Sequence, residues 1–477
     1  MIKTKLIATI GPACDNEPIL SAMLDAGVSV FRLNFSHGTL EGHLVTLQRI
    51  RRVAAQMGKV VAVLGDLCGP KIRLGTLIDG RCELSAGCDV AFVRNPIEGT
   101  GTQLWSNYKA LIDDVQPGDR VLIDDGNIQL RAVSKMKDQL LCHCEVGGWI
   151  SDHKGINLPD SNVSAPALTK KDLTDLAWAI DHELDFVALS FVRHPDDVHQ
   201  LRTILNERDP GMRIVTKIEK PDALAHIDEI IALADGIMVA RGDLGVEMDL
   251  ARVPVVQKEL ALKAQQAGKP VIIATQMLQS MVDNPIPTRA EVSDVANAIL
   301  DRTDGIMLSA ESAVGRFPVE AVRQMRSIAE QTESFGSRYI GELGTNRGVN
   351  MPVETAMLRG INVITRELNP PLVVIWTDQG QGPTLLSKYR LPTPIIGLAP
   401  NERCCRQLAI CYGVTPVLLK QPGTFREMLV DLNTLLLENG LVERGAQIVV
   451  AADAHPDIPG ETDVLFIHVV GSTLGNE

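Results

Sequence analysis

Aromatic side chains are scarce, at 4% of the chain, and basic residues are outnumbered: 46 Lys and Arg against 59 Asp and Glu leave a formal net charge of -13. A nucleic-acid surface needs basic stripes and stacking platforms, so that class of partner is excluded. Any phosphate-bearing ligand must instead find a local basic cluster. No apolar run approaches the roughly 20 residues of a membrane-spanning helix, and Met1-Ile2-Lys3-Thr4-Lys5 leads into an apolar stretch without the pattern of a secretory leader. We therefore expect no membrane partner and a cytoplasmic location. The nine cysteines lack zinc-ligand spacing, with Cys142 and Cys144 alternating along an expected strand and Cys404 and Cys405 adjacent in an expected helix. Reduced thiols are the reading that fits.

What the chain does have is eight short apolar runs, each stopping at a side chain able to bind phosphate, bind a metal or move a proton. They are Leu6 to Thr9, Val28 to Asn34, Val60 to Asp66, Phe186 to Ser190, Ile214 to Glu219, Ile237 to Arg241, Val271 to Thr275 and Ile306 to Ser309. Segments of helical periodicity separate most of them. Continuous Val/Ile/Leu runs alternating with helices indicate a parallel sheet covered on both faces, and eight such units predict an α/β fold, a (β/α)8 barrel. Active sites of that fold lie at the C-terminal ends of the strands.

A chain of 477 residues exceeds one core, since domains run to about 100–200 residues. The third and fourth runs are too far apart for one βα unit, so an insertion is expected from about Pro70 to Pro166. Its run Arg120 to Leu130 reads as strand, Asp125-Gly126 turn, strand, followed by a strand at Gln139 to Val146. After a helix from Val319 to about Thr332, the stretch from Phe335 to Asn350 reads as a linker. Beyond it, helices and strands alternate again. The expected division is a barrel over 1–69 and 167–340, a β-barrel-like cap over 70–166, and a C-terminal α/β domain over 350–477.

Period-two alternation places Lys217 and Glu219 on one face at the end of the fifth run, either as a structural ion pair or as a site. The sixth run ends at Ala240-Arg241-Gly242-Asp243, where Gly242 admits a close backbone approach. Asp243 can join Glu219 on one hard cation, because two carboxylates plus waters and substrate oxygens suit Mg²⁺. Arg32, Asn34 and Ser36 alternate at the end of the second run, followed by His37, and Arg suits bidentate capture of a phosphoryl group. Lys71 and Arg73 leave the third run on the same rim, and Lys154 lies where the cap returns. Thr275 puts a hydroxyl on the rim, to pass a proton or to cap a turn. Thr288 and Glu291 have capping-box spacing, so helix initiation accounts for both.

With these residues in place the chain resembles pyruvate kinase over essentially all of 1–335, and more loosely beyond. The motifs are Ala8-Thr9-Ile10-Gly11-Pro12-Ala13, Arg32-Leu33-Asn34-Phe35-Ser36-His37-Gly38, Lys217-Ile218-Glu219, Ala240-Arg241-Gly242-Asp243-Leu244-Gly245, Ala274-Thr275-Gln276-Met277-Leu278 and Pro287 to Leu300. The resemblance implies a barrel, a mobile β cap and a C-terminal regulatory domain in a homotetramer. It implies transfer of the phosphoryl group of phosphoenolpyruvate to ADP, giving pyruvate and ATP. Carried over by position, Glu219 and Asp243 hold Mg²⁺ (or Mn²⁺), Arg32 and Lys217 neutralise the migrating group, and Thr275 stands beside enolate protonation. Asn34, Ser36, His37, Arg73 and Lys154 match nucleotide or phosphate contacts. Gly242 contacts substrate, and Ser190 and Ser309 match rim hydroxyls.

Two features depart from the family pattern. Many members bind K⁺ with Asn34, Ser36, Asp66 and a following Thr, and carry Glu at the position of Lys71. Here the Thr position is Leu67, and an ammonium replaces the carboxylate, so a K⁺-independent enzyme is expected. The Ser/Thr- and Gly-rich phosphate loop of the third domain is here Thr377-Asp378-Gln379-Gly380-Gln381-Gly382-Pro383-Thr384, in which Asp378 repels phosphate and Pro383 removes a donor. The competing readings are a Mg²⁺-dependent lyase acting on an oxaloacetate-like acid and a non-catalytic metabolite sensor.

Overall fold

The eight runs become eight parallel strands that close on themselves. The computed structural model describes residues 2–339, 353–420, 424–452 and 464–472. Strands Lys5–Thr9, Val28–Asn34, Ala62–Asp66, Phe186–Leu189, Arg213–Ile218, Gly236–Ala240, Val271–Ala274 and Gly305–Leu308 form the barrel, each beside its neighbours in sequence and the last paired with the first. Their two faces carry two apolar sets. Ile7, Val30, Leu64, Val215, Met238 and Ile272 fill the interior, while Leu6, Phe31, Val63, Ile214, Val239 and Ile273 pack in the layer under the helices.

The interior parity also builds the mouth. Above Val30 come Arg32 and Asn34, above Leu64 comes Asp66, and above Val215 come Lys217 and Glu219, because every second residue of a strand faces the same way. Register then sets neighbours side by side: Arg32 pairs with Leu64 and Asn34 with Asp66.

Between the third and fourth strands the chain leaves the barrel. Asp89–Val93, Gln103–Trp105, Arg120–Ile123, Ile128–Met136, Gln139–Val146 and Ile156–Asn157 form one sheet, and Arg81–Leu84 pairs with Gly148–Ser151 beside it. The expected Asp-Gly turn is present, with Asp124, Asp125 and Gly126 all left-handed at φ 55°, 54° and 85°. This mainly β body, which includes the short helix Leu111–Asp114, rests on the barrel at the C-terminal ends of the strands. Asn157 Nδ2 donates to Glu247 Oε1 at 2.7 Å, and Arg193 Nη2 donates to the Ala165 carbonyl at 2.5 Å.

In the C-terminal body the strand order is Val414–Leu418, Ile395–Ala399, Val373–Trp376, Gln447–Ala452, Val464–Val469, with only the last pair antiparallel. Helix Phe425–Glu438 was not among the sequence expectations, although Met428, Leu429, Leu432 and Leu436 recur at helical spacing and Thr424 caps the Glu427 amide. Helix Pro318–Tyr339 runs past the expected end near Thr332 and takes in Phe335, the first residue of the expected linker. The remainder of that stretch, 340–350, lies outside the described residues.

This C-terminal body closes the other end of the barrel. Its side chains Leu358, Cys404, Leu408 and Cys411 belong to the same buried cluster as the interior residues Ile7, Val30 and Leu64. Buried carboxylates just ahead of strands pin it there. Asp185 accepts from Val63 N at 2.8 Å, Arg51 Nη2 at 2.9 Å and Arg406 Nε at 2.7 Å, and Asp304 accepts from Val271 N at 3.0 Å and Lys388 Nζ at 2.8 Å. Asp304 is held below the usual carboxylate range. Burial opposes ionisation, but Lys388 and Arg390 outweigh it.

Removing one partner from a buried ion pair leaves an uncompensated charge, at a cost of about 3–5 kcal/mol. Asp185→Ala strands Arg406 at the junction. It should lower the urea midpoint accordingly and raise amide exchange in helix Glu402–Leu408, and an unchanged midpoint would remove Asp185 from the junction's energetics.

Candidate active site

At the barrel mouth a carboxylate lies between two cations. Asp66, 1% exposed, accepts from Arg32 Nε at 2.6 Å on one oxygen and lies 3.3 Å from Lys217 Nζ on the other. Arg32 also donates through Nη1 to Thr9 Oγ1 at 3.0 Å, and Thr9 donates to the Leu308 carbonyl. Lys217 Nζ continues to Glu219 Oε1 at 2.8 Å and to Ser190 Oγ at 2.8 Å. Ser190 in turn donates to the Leu67 carbonyl at 2.7 Å. Side chains from five strands, or from the positions that follow them, thus share one buried network.

The charges shape one another. Asp66 stays below the ordinary carboxylate range, since Lys217 and Arg32 together overcome its burial. Lys217 is pushed up: burial lowers its proton affinity, but Asp66 and then Glu219 raise it more, so the ammonium is fixed. Glu219 is raised by burial, with the charge of Asp243 adding to it. Asp243 itself is half-buried and makes no hydrogen bond or ion pair among the described residues. Three carboxylates therefore face two cations. An excess negative charge displayed by hard oxygens fits a divalent cation held by Glu219 and Asp243, although no group of three or more ligand side chains is present among the described residues.

Across the mouth the backbone is held in left-handed conformations at non-glycine residues. Thr275 and Gln276 have φ 69° and 54°, and Phe191, after Ser190, has φ 53°. Each such residue costs on the order of 1–3 kcal/mol and persists only where neighbours enforce it. The neighbours are visible. Gly242 N donates to Thr275 Oγ1 at 2.7 Å, and Arg241, itself paired with Asp294 at 2.7 Å, donates to the Thr275 carbonyl at 2.9 Å. Glu219 Oε2 accepts from Phe191 N at 2.8 Å, and the fully buried Glu311 accepts from Leu278 N at 3.0 Å and Ser309 N at 2.8 Å. A Cβ on Gly242 would lie 3.3 Å from Thr275 Oγ1, so glycine keeps that hydroxyl in place.

Of the residues singled out from sequence, Arg32, Ser190, Lys217, Glu219 and Asp66 come together directly, and Gly242 and Thr275 meet each other. Asn34 Oδ1 accepts from Ser36 N at 3.1 Å, while His37 is exposed and offers its carbonyl to His43. Near the root of the cap, Arg73, in an isolated bridge with Gly155, donates to the His153 carbonyl at 3.0 Å, and Lys154, in the loop before strand Ile156–Asn157, pairs with Asp124 at 2.7 Å. Leu67 is buried, and Lys71 is exposed, its side chain making no hydrogen bond or ion pair among the described residues. Ser309 contributes its backbone amide to Glu311. Thr288 and Glu291 form the expected capping box. Sequence reading missed the supporting roles of Thr9, Asp294 and Glu311. Asp294 and Glu311 lie on helices that follow the seventh and eighth strands, and no spacing rule links them to Arg241 or to the two amides.

A family model described as pyruvate kinase, barrel domain, matches residues 1–322, and one described as pyruvate kinase, alpha/beta domain, matches 355–468. Proteins named pyruvate kinase from Staphylococcus aureus strains MRSA252 and USA300 are each 40% identical over 482 residues, covering 100% of this chain and 82% of their own length. A crystal structure of a pyruvate kinase from Cryptosporidium parvum superposes with a TM-score of 0.91 at 34% identity, over 98% of this chain and 96% of that one.

The network separates structural from unpaired carboxylates. Asp66→Ala leaves the buried Arg32 without a carboxylate partner and Lys217 with Glu219 alone, and should cost about 3–5 kcal/mol in chemical denaturation. Asp243→Ala, which breaks no contact, should fall within about 0.5 kcal/mol of the parent; comparable losses in both would show that Asp243 is held by the fold.

Proposed function

The chain belongs to the pyruvate kinase family and is a phosphotransferase, and from that premise we propose that its barrel mouth moves the phosphoryl group of phosphoenolpyruvate to ADP, giving pyruvate and ATP. One observation carries the reading: the buried chain Arg32, Asp66, Lys217, Glu219, beside an unpaired Asp243. A phosphoryl group in transfer spreads its charge over its oxygens, so catalysis consists mainly of positioning and fixed positive charge. Arg32 offers a planar fork to those oxygens, and Asp66 sets its orientation. Lys217 supplies the second charge, held on line by Ser190.

Glu219 and Asp243 would hold Mg²⁺ or Mn²⁺, which when bound supplies positive charge against phosphoryl and enolate oxygens. The enolate left by transfer needs a proton at carbon. Thr275 Oγ1, which in the free protein accepts from Gly242 N and donates to the Ala274 carbonyl at 2.6 Å, is the group assigned to that side. Threonine is too weak an acid to act alone, so it relays a proton from water. Gly242 lets the substrate approach the backbone. Asn34, Ser36 and His37 on the rim, with Arg73 and Lys154 on the cap, receive the nucleotide, and Lys154 exchanges Asp124 for phosphate. The working division is 1–69 with 167–340, 70–166 and 350–477, in a cytoplasmic homotetramer.

The reading extends to K⁺. Both Asp66 oxygens already face cations, Leu67 offers no side-chain oxygen, and the exposed ammonium of Lys71 is free to swing over the rim. Lys71 therefore stands in for a monovalent cation.

Coupled pyruvate formation from phosphoenolpyruvate and ADP with Mg²⁺ tests the activity. Lys217→Met, checked for folding, should lower kcat by about 10²–10³-fold, the scale of losing one preorganised electrostatic group; undiminished turnover would place the chemistry elsewhere. With K⁺ replaced by a bulky organic cation at matched ionic strength, turnover should stay the same, and Lys71→Glu should make it K⁺-dependent. A clear rise with K⁺ in the parent would discard the Lys71 substitution while leaving the kinase intact.

A further inference from the structure

The rim turn that follows the second strand is gripped by side chains of two helices. Asn34 to Gly38 makes the turn, with His37 N donating to the Asn34 carbonyl at 3.1 Å and Gly38 left-handed at φ 77°. Its anchor is the buried Phe35, whose ring packs on Gly65, where a Cβ would come within 2.7 Å of it. His43 meets that ring edge-on at 5.2 Å, and Trp178 meets it at 5.6 Å. The same two helices hold the turn's backbone. His43, in helix Leu40–Gln56, donates from Nε2 to the His37 carbonyl at 2.9 Å, and Lys171, in helix Lys170–Asp181, donates from Nζ to the Phe35 carbonyl at 2.6 Å.

Each of these bonds fixes a whole peptide plane, because a trans peptide points its N–H opposite to its carbonyl. Holding the Phe35 carbonyl directs the Ser36 amide, which donates to Asn34 Oδ1 at 3.1 Å. Holding the His37 carbonyl directs the Gly38 amide away from His43, and that amide meets no acceptor among the described residues. Gly38 is exposed, and backbone amides at such turns are donors suited to anion oxygens. The His43 bond does not call for a charge. A carbonyl accepts, so Nε2 carries the hydrogen, and burial holds the imidazole's proton affinity below the usual histidine value although the His37 carbonyl favours the charged form. A neutral donor of the same reach would serve. Lys171 differs, since its ammonium also pairs with the buried Asp175 at 2.6 Å.

We propose that His43 is a positioning residue for the nucleotide: by fixing the His37–Gly38 peptide it presents the Gly38 amide to a phosphate oxygen of ADP, while Lys171 braces the Phe35–Ser36 peptide. The inference rests on the reading of Asn34, Ser36 and His37 as nucleotide contacts, and adds to it a backbone donor and the side chain that aims it. The cations assigned to the phosphoryl group are oriented independently of this grip. Arg32 is held by Asp66 and Thr9, and Lys217 by Asp66, Ser190 and Glu219. Loosening the turn should therefore separate the two substrates.

Steady-state kinetics of the full chain with each substrate varied in turn, beside calorimetric titration with ADP and Mg²⁺, tests this. His43→Phe keeps a ring against Phe35 and loses the donor. Its KM and Kd for ADP should rise about three- to tenfold, the scale of one hydrogen bond, with kcat and the KM for phosphoenolpyruvate unchanged. His43→Gln, whose side-chain amide reaches to where Nε2 stands, should restore the parent affinity. If circular dichroism shows His43→Phe to be misfolded, Lys171→Met reads the same turn from the other helix and should likewise weaken ADP alone. Unchanged ADP affinity in the variant that folds, KM values rising alike for both substrates, or a Gln variant as weak as the Phe variant overturns the inference. A parent enzyme without saturable dependence on ADP would sink the nucleotide reading itself, and the inference with it.

Discussion

Everything at the barrel mouth depends on Asp66 being ionised while buried. A carboxylate taken out of water must be compensated, and here the compensation comes from two cations that are themselves buried, Arg32 and Lys217. The three are fixed by mutual need. Arg32 cannot rotate away without leaving one Asp66 oxygen without a cation, and Lys217 is tied by Ser190 and Glu219 as well. The result is a pair of preorganised cations, Arg32 and Lys217, whose positions are fixed by the fold itself.

Strand periodicity aims these side chains, but the loops that follow the strands carry the strain. Three non-glycine residues in left-handed conformations, Phe191, Thr275 and Gln276, sit directly after strand ends. Carboxylates and an arginine accept or donate to the neighbouring backbone so that these turns persist. Glu219 takes part in both systems, with one oxygen on Lys217 and the other on the Phe191 amide. A single side chain therefore couples the charge network to the shape of the rim.

The eight strand ends were legible because a parallel strand covered on both faces must be continuously apolar until it meets solvent, and the break marks the rim. Alternation then gave the pairing of Lys217 with Glu219. The role of Asp66 was only partly legible: its position at a strand end was plain, but nothing local distinguishes a metal ligand from the partner of an arginine 34 residues away. The short cap strands Arg81–Leu84, Gln103–Trp105 and Ile156–Asn157 are too brief to show a period. Arg302 and Arg390 lie 88 residues apart and meet only because two bodies dock, a tertiary fact that no window of sequence contains.

The shared cluster that runs from Ile7 and Val30 to Leu408 and Cys411 has a consequence for how this chain can vary. The C-terminal body serves as the floor of the barrel, so the two halves are not interchangeable modules. A graft from a relative would have to match the contours of the barrel's lowest layer as well as its own sheet, and sequence drift on either side of that floor must be answered on the other. Heredity thus treats as one unit what the order of the chain presents as two.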